Sequence, residues 1–418
     1  MTTAAELDAA DELAEFAREF ARPPGVAYLD GNSLGLMCHA AERGLMRAVE
    51  AWRTRAVQGW TDGPDPWFGL SRRAAGLLAP LLGADPDDVM VGQSTTINLH
   101  QLLATFHGPG TRPKVVIDAT HFPSDRYAVD SHLRGRGLDP VAEVVLVPAG
   151  PDRLLGEDAI IEAMGAAVGF AVLPAVVFTT GQLLDLPRLT AAARERDIPV
   201  AWDCSHSAGV VPHEFRRDGI DLAFGCGYKH LNGGPGAPGW LYVAPRLRDR
   251  LPGLAGWFGS DPARQFAMTA DFHPAADAGR FQAGTPHVLS LAPLAGALEL
   301  IQAAGIERIR AKSLAQTAFM RRLVVERLAR FGVGVVTPVE DERCGGHLTL
   351  AHSAAGRLSR ALRARGVVPD FRPPDLLRLA PAPLYTSFAE CVAAIDILET
   401  LLSTDLPDDP ASADAPVT

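Results

Sequence analysis

From residue 70 to 245 the chain alternates between short apolar runs and longer stretches whose apolar positions recur at helical spacing. The runs are VMVG (89–92), KVVIDA (114–119), EVVLVPA (143–149), AVVFTT (175–180), PVAWDC (199–204), LAFGCG (222–227) and GWLYVA (239–244). Apolar strands separated by helices predict an α/β domain with a mostly parallel sheet covered on both faces. Upstream, residues 5–21 read as an acidic amphipathic helix ending before Pro23-Pro24, and VAYLDGNSLGL as a short strand breaking into a turn over 31–35. Residues 39–56 read as a helix. The Trp- and Gly-rich segment QGWTDGPDPWFG (58–69) predicts a long loop, a place where function concentrates. Downstream, one long helical pattern (289–330), two strand candidates (GVGVVTP and HLTLAH) and further helices predict a smaller α+β domain. The expected boundaries are an N-terminal segment over 1–50 packing with the small domain, a large domain over 51–290, a small domain over 291–403 and a disordered acidic, Pro-rich tail over 404–418.

Length and composition sharpen this little. A chain of 418 residues suits two domains, and 47% hydrophobic with 21% charged residues is an ordinary globular balance. The net charge of −10 offers no basic face for nucleic acid. Five cysteines without a C-x-x-C pair argue against a disulfide framework or a metal site and for a reducing compartment. The first 24 residues are acidic where a signal peptide is basic, and no apolar run is long enough to span a membrane. The expectation is a cytoplasmic protein with no membrane and no nucleic-acid partner.

Candidate chemistry gathers where strand-like runs break at charged residues. In an open α/β sheet, ligands lie beyond the carboxyl ends of the strands. PVAWDCSHSAG and DLAFGCGYKHLNGG therefore aim Asp203, His206, Tyr228 and Lys229 at one crevice. A lysine able to form a Schiff base and an aspartate able to hold a pyridinium nitrogen are the pair that a pyridoxal phosphate enzyme needs. Each also has a plainer reading, Lys229 as a surface charge and Asp203 as a cap for the following turn. GQSTTINLHQLL reads equally as an N-cap and as an anion site at a helix start. THFPSDRYAV offers Phe122 as a stacking ring or core residue, and Asp125 as an acceptor. Arg378, in LLRLAPAPLYTSF, is either a snorkelling surface cation or a bidentate clamp for an α-carboxylate.

Taken together, LDGNSLGL, NLH, FPSD, TGQ, DCSHSAG, YKHLNGGPG, GWFG and LRLAPAPLY resemble the kynureninases almost end to end, to about residue 400. These are pyridoxal phosphate hydrolases of fold type I (aspartate aminotransferase-like) in the aminotransferase superfamily. The resemblance implies hydrolysis of L-kynurenine, or of its 3-hydroxy form, to the anthranilate and L-alanine, within tryptophan breakdown or a specialised biosynthesis. By position it makes Lys229 the Schiff-base lysine and Asp203 the pyridinium partner, with His206 on the same turn. It puts Phe122 on the cofactor ring with Ser124 and Asp125 beside it, Thr95 and Thr96 at the phosphate, and Tyr228 in phosphate contact and proton transfer. Trp257 and Thr285 fall where the family lines the phosphate region. Arg378 matches the α-carboxylate arginine, and Ser33 and Trp60 fall near the substrate's aromatic ring. Pro174 departs from the family, standing where a serine or threonine is usual. Gly284, Thr285 and Trp60 match the bacterial form that prefers unsubstituted kynurenine. The resemblance also implies a homodimer with its site at the interface. A cysteine desulfurase or β-lyase of the same superfamily is the nearest alternative, with Cys344 in ERCGGHL as its candidate nucleophile. An aminotransferase and a non-enzymatic scaffold stand further off.

Overall fold

The computed structural model describes residues 3–108 and 110–404. Seven strands form the central sheet: β1 (Val89–Val91), β2 (Lys114–Asp118), β3 (Val144–Val147), β4 (Val168–Pro174), β5 (Val200–Asp203), β6 (Leu222–Cys226) and β7 (Gly239–Val243). Their order is β1-β7-β6-β5-β4-β2-β3. Only β7 runs antiparallel to its neighbours, so β2 through β6 end on one edge.

The strands alternate between two cores, as a pleated ribbon requires. Val115, Ile117, Phe170, Val172, Leu222, Phe224 and Leu241 face helices Thr95–Phe106 and Pro123–Gly135. Val116, Ala171, Leu173, Trp202, Ala223 and Trp240 face the opposite layer, which includes helices Leu70–Leu78 and Val288–Ala304. The helix His39–Arg55 lies across the latter, so closely that a Cβ on Gly296 would stand 2.3 Å from the Ala40 carbonyl oxygen.

Three local expectations change. The strand expected at AVVFTT lies one segment earlier, at β4. Pro174 has no N–H to continue the ladder, and the next residues fold into a turn in which Val177 donates to Gln182 O at 2.8 Å. The helix expected over 5–21 is broken into an α-helix, Ala4–Ala9, and a 3-10 turn, Ala14–Glu19. Asp11 interrupts it by accepting from the Leu13 N–H (2.9 Å) and pairing inward with Lys312 at 2.7 Å. The helical stretch over 289–330 is two helices, Val288–Ala304 and Ile306–Arg327, which bend by 79° at Gly305. Gly305 takes a φ of +82°, a conformation that glycine adopts without steric cost. Among the described residues no single helix is long and apolar enough to cross a membrane. The tail beyond Thr404 lies outside the described residues.

A four-stranded antiparallel sheet, in the order Asp370–Arg372, Leu376–Leu379, Leu348–Ala351, Gly334–Val335, carries the remaining core. Leu348, Leu350, Leu377 and Leu379 pack on Met320, Val324, Leu358 and Ile395. Thr349 and Asp370 both oppose Arg378 in register, so a row of polar residues occupies the other face.

Two buried histidines give the fold an acid-sensitive term. His132 shares a 2.9 Å hydrogen bond with His107, and burial holds it down at about 4; burial does the same to His213, also about 4. Both are neutral in the fold, whereas the unfolded chain protonates them near 6.5. Their contribution is therefore complete above about pH 6.5 and is lost as pH falls toward 4, at about 1.4 kcal/mol per pH unit for each group. In urea titrations, His132→Gln should flatten the acid slope of the midpoint across that window; an unchanged slope contradicts the assignment.

Candidate active site

Asp118, Asp203 and Lys229 all stand at the shared carboxyl edge of the parallel strands. Asp118 closes β2, Asp203 closes β5, and Lys229 follows β6 by three residues. Lys229 Nζ lies 2.9 Å from His206 Nε2 and 5.8 Å and 5.9 Å from the ring centres of Phe122 and Tyr228. Its backbone is pinned from the N-terminal turn: a Cβ on Gly35 would stand 2.5 Å from the Lys229 carbonyl oxygen. Asp203, Asp125, Asp118, Phe122, His206 and Pro174 line one small cavity. Pro174 sits beside Asp203 in register, so its carbon ring borders that space.

The electrostatics follow from crowding. Burial, then the carboxylates of Asp203 and Asp118, push the Asp125 carboxyl well above the usual range, against the pull of Lys229. Burial also raises Asp118, whose Oδ1 accepts from Thr120 N (2.7 Å) and Thr120 Oγ1 (2.6 Å). Asp203 Oδ1 takes the Ser205 N–H at 2.8 Å, which fixes the carboxylate. Burial, with Lys229 and Arg378 nearby, drives His206 well below its ordinary value. It is therefore a neutral partner for Lys229. Burial and the neighbouring Cys226 and Asp203 raise Tyr228, keeping its phenol protonated.

These residues fit pyridoxal phosphate. Phe122 leaves 44% of its surface open while its ring leans edge-on against Phe178 at 5.6 Å. That open face suits a heteroaromatic ring. The helix start caps itself through Ser94, which accepts from Ile97 N at 3.3 Å, so neither Thr95 nor Thr96 serves as the cap. Thr96 shares a 2.7 Å hydrogen bond with Ser124, and Thr95 N lies where a Cβ on Gly239 would be 2.8 Å away. Backbone donors at such a helix start suit a phosphate. His206 Nδ1 is buried with no partner.

The remaining expected residues divide. Arg378 is 1% exposed, donates to Phe178 O at 2.6 Å and to Ser33 Oγ at 3.4 Å, and pairs with Asp370. Phe178 also touches Phe122 and His206, so Arg378 and Ser33 adjoin the Lys229 crevice. Trp60 lies instead in an aromatic cluster with Trp67, Phe68 and Phe258. Trp257 joins that cluster through Phe258 and Phe266, and Thr285 is exposed. Neither Trp257 nor Thr285 shares a hydrogen bond or ring contact with Lys229, Asp203 or Phe122 among the described residues.

Residues that the sequence reading passed over also belong here. Asp118 ends an apolar run just as Asp203 does, so the same signal marks both. Phe178 was concealed by the strand expected at AVVFTT. His230 and His347 are buried and neutral: burial pushes the first down to about 3 and the second well below its ordinary value. His347 has neither ring nitrogen partnered. Among the described residues no cluster of His, Cys, Asp or Glu is placed to hold a metal.

The chain is similar to known proteins along nearly its whole length. Residues 73–344 match the aminotransferase class-V family and residues 309–398 the kynureninase C-terminal domain. The fold superposes on a cysteine desulfurase from Escherichia coli with a TM-score of 0.78, at 19% identity over 94% of this chain and 98% of that one. It also superposes on a cystine C–S lyase bound to cysteine persulfide, with a TM-score of 0.78 at 17% identity over 90% and 98% of the two chains. Fold and site thus define a pyridoxal phosphate enzyme of fold type I, in the class-V aminotransferase group. The full-length relatives narrow this. The chain is 46% identical to a kynureninase of Bacillus anthracis over 96% of its length and 94% of that protein, and 46% identical to one of Geobacillus thermodenitrificans over the same shares. It belongs to the kynureninase family.

Proposed function

We propose that the protein hydrolyses L-kynurenine to anthranilate and L-alanine by cleaving the Cβ–Cγ bond. Water is added across that bond, oxygen to Cγ and a proton to Cβ. The observation that carries this reading is the grouping of Lys229, His206, Phe122 and Asp203 on one crevice, with Arg378 reached through Phe178. Bound pyridoxal phosphate supplies an electron sink for the electrons of a broken Cα–H bond. With pyridoxal phosphate bound, Asp203 would keep the ring nitrogen protonated, Phe122 would lie against the ring, and Thr95, Thr96 and Ser124 would hold the phosphate. Lys229 would hold the cofactor's aldehyde and move the Cα proton. Arg378 orients the α-carboxylate, with Ser33, expected near the substrate's aromatic ring, bonded to the Arg378 guanidinium at 3.4 Å.

Tyr228, protonated and beside Lys229, is the proton donor. Tyr228→Phe should lower kcat about 10²–10⁴-fold, the usual worth of acid–base help, while the cofactor stays bound. A variant with parental kcat contradicts the role.

The match of Trp60, Gly284 and Thr285 to the bacterial form of the family supports the unsubstituted ring over the 3-hydroxy one. Trp257 (43% exposed), Phe266 (59%), Met46 (58%) and Trp52 (61%) present large apolar surface to solvent, which suits a homodimer. A second copy would have to bring Trp257 and Thr285 to a cofactor, since within one chain neither shares a hydrogen bond or ring contact with Lys229 or Phe122 among the described residues. Five buried, unpaired cysteines suit the cytoplasm.

A desulfurase needs a mobile cysteine, and Cys344 is not one. It is 1% exposed, forms an isolated antiparallel bridge with Gln182 and places Sγ 3.5 Å from Arg321 Nη2. The test is incubation with L-kynurenine and 3-hydroxy-L-kynurenine, following the fluorescent aniline product and alanine. Both products should form in equal amounts, faster from L-kynurenine. Release of sulfide from cysteine without anthranilate from kynurenine would overturn the reading.

A further inference from the structure

The polar face of the small sheet holds more charge than one arginine. Asp370 is fully buried, and its Oδ2 is shared by two cations: Arg378 through Nη2, and Arg372 through Nε at 3.0 Å. Both guanidinium groups stand 5.8 Å from the ring centre of Phe178, the ring that leans on Phe122. We propose that Asp370 and Arg372 are positioning residues for the α-carboxylate of an amino-acid substrate, locking the Arg378 fork and leaving the group one positive charge in excess. The inference rests on the reading of Arg378 as the carboxylate clamp.

Two features support it. The first is charge. Two guanidinium groups and one carboxylate leave +1 in a site where Arg378 is 1% exposed. The adjacent pair Asp30–Arg363, at 3.8 Å, does not alter that excess. A surplus of one charge with only the Arg372 side chain partly open (23%) is costly until an opposite charge arrives, and a monocarboxylate is the matching ligand. The second is donor count. Arg378 Nη1 is taken by Phe178 O (2.6 Å) and Nη2 by Asp370 and Ser33, whereas Nε is buried with no acceptor. A carboxylate supplies that acceptor. Three of its five N–H donors are then taken, and a planar fork held by three fixed partners presents the remaining two without losing rotamer entropy on binding.

The test titrates the cofactor-loaded enzyme with L-alanine and with ethylamine, which lacks the carboxylate, and follows cofactor absorbance. The parent should prefer L-alanine strongly. Asp370→Asn, nearly isosteric, adds to the positive surplus yet frees the Arg378 fork, and with positioning dominant it should shrink the alanine-to-ethylamine affinity ratio about tenfold. Arg372→Met should shrink it about tenfold, and Arg372→Lys should restore most of the loss. If Asp370→Asn fails to fold, Arg372→Met probes the same pair from its other end. A role confined to stability would lower the melting temperature and leave the ratio intact, which overturns the inference. Arg378→Lys separates the two layers of argument. If it leaves the ratio unchanged, the carboxylate-clamp reading itself fails. If it collapses the ratio while the Asp370 and Arg372 variants keep the parental value, only the pairing fails.

Discussion

Lys229→Ala should abolish turnover of L-kynurenine, by about 10⁴–10⁶-fold, and remove the visible absorbance of lysine-bound cofactor with it. The effect is large because no other amine can substitute. Nζ is held 2.9 Å from a neutral His206 and within 6 Å of the two rings that flank the crevice. Around it the titratable neighbours are carboxylates and buried histidines. Lys229→Arg keeps the charge but cannot form the covalent bond, so it should be equally dead. A yellow, active Lys229→Ala protein contradicts the assignment.

Asp203→Asn should retain bound cofactor, since Lys229 remains, and lose roughly 10²–10⁴-fold in kcat. That range corresponds to the about 3–5 kcal/mol lost when one member of a buried charge pair is removed. The neighbouring carboxyl sets where in that range the loss falls. Burial and the negative charge of Asp203 and Asp118 push the Asp125 carboxyl well toward its protonated form. Neutralising Asp203 lowers the Asp125 carboxyl, which then takes over part of the charge. Asp125→Asn combined with Asp203→Asn should therefore be more damaging than the single changes added together. Kinetics of the four proteins in one cycle check this; a kcat for Asp203→Asn within about threefold of the parent contradicts the role.

The sheet and the crevice were legible because parallel strands are buried on both faces. Their apolar runs stand out, and a charge at the end of such a run, Asp203 or the Tyr228–Lys229 pair, has few reasons to be there. The same logic covered Asp118, which went unremarked. What stayed hidden depends on contacts far apart in sequence. Residues 170–178 form one apolar stretch, and only the missing N–H of Pro174 ends the strand there, so Phe178 turned from an expected strand residue into the hub linking Phe122, His206 and Arg378. The break in the first helix needs Lys312, about 300 residues away, to draw Asp11 inward. The partners of Arg378 were concealed for a similar reason. Alternation in DFRPPDLLRL marks one polar face, but only the antiparallel register sets Asp370 opposite Arg378. Among the described residues, Trp60, Trp257 and Thr285 share no hydrogen bond or ring contact with Lys229, Asp203 or Phe122, so their place near the cofactor does not follow from the single chain.

The decisive measurement is borohydride reduction of the cofactor-loaded protein, followed by proteolysis and mass spectrometry of the labelled peptide. One phosphopyridoxyl group on the amine at position 229, and a label lost with bleaching of the chromophore when L-kynurenine is added first, is the result required of a carbon–carbon hydrolase built this way. Label on a different lysine, or none at all in a protein that still releases anthranilate, would contradict it.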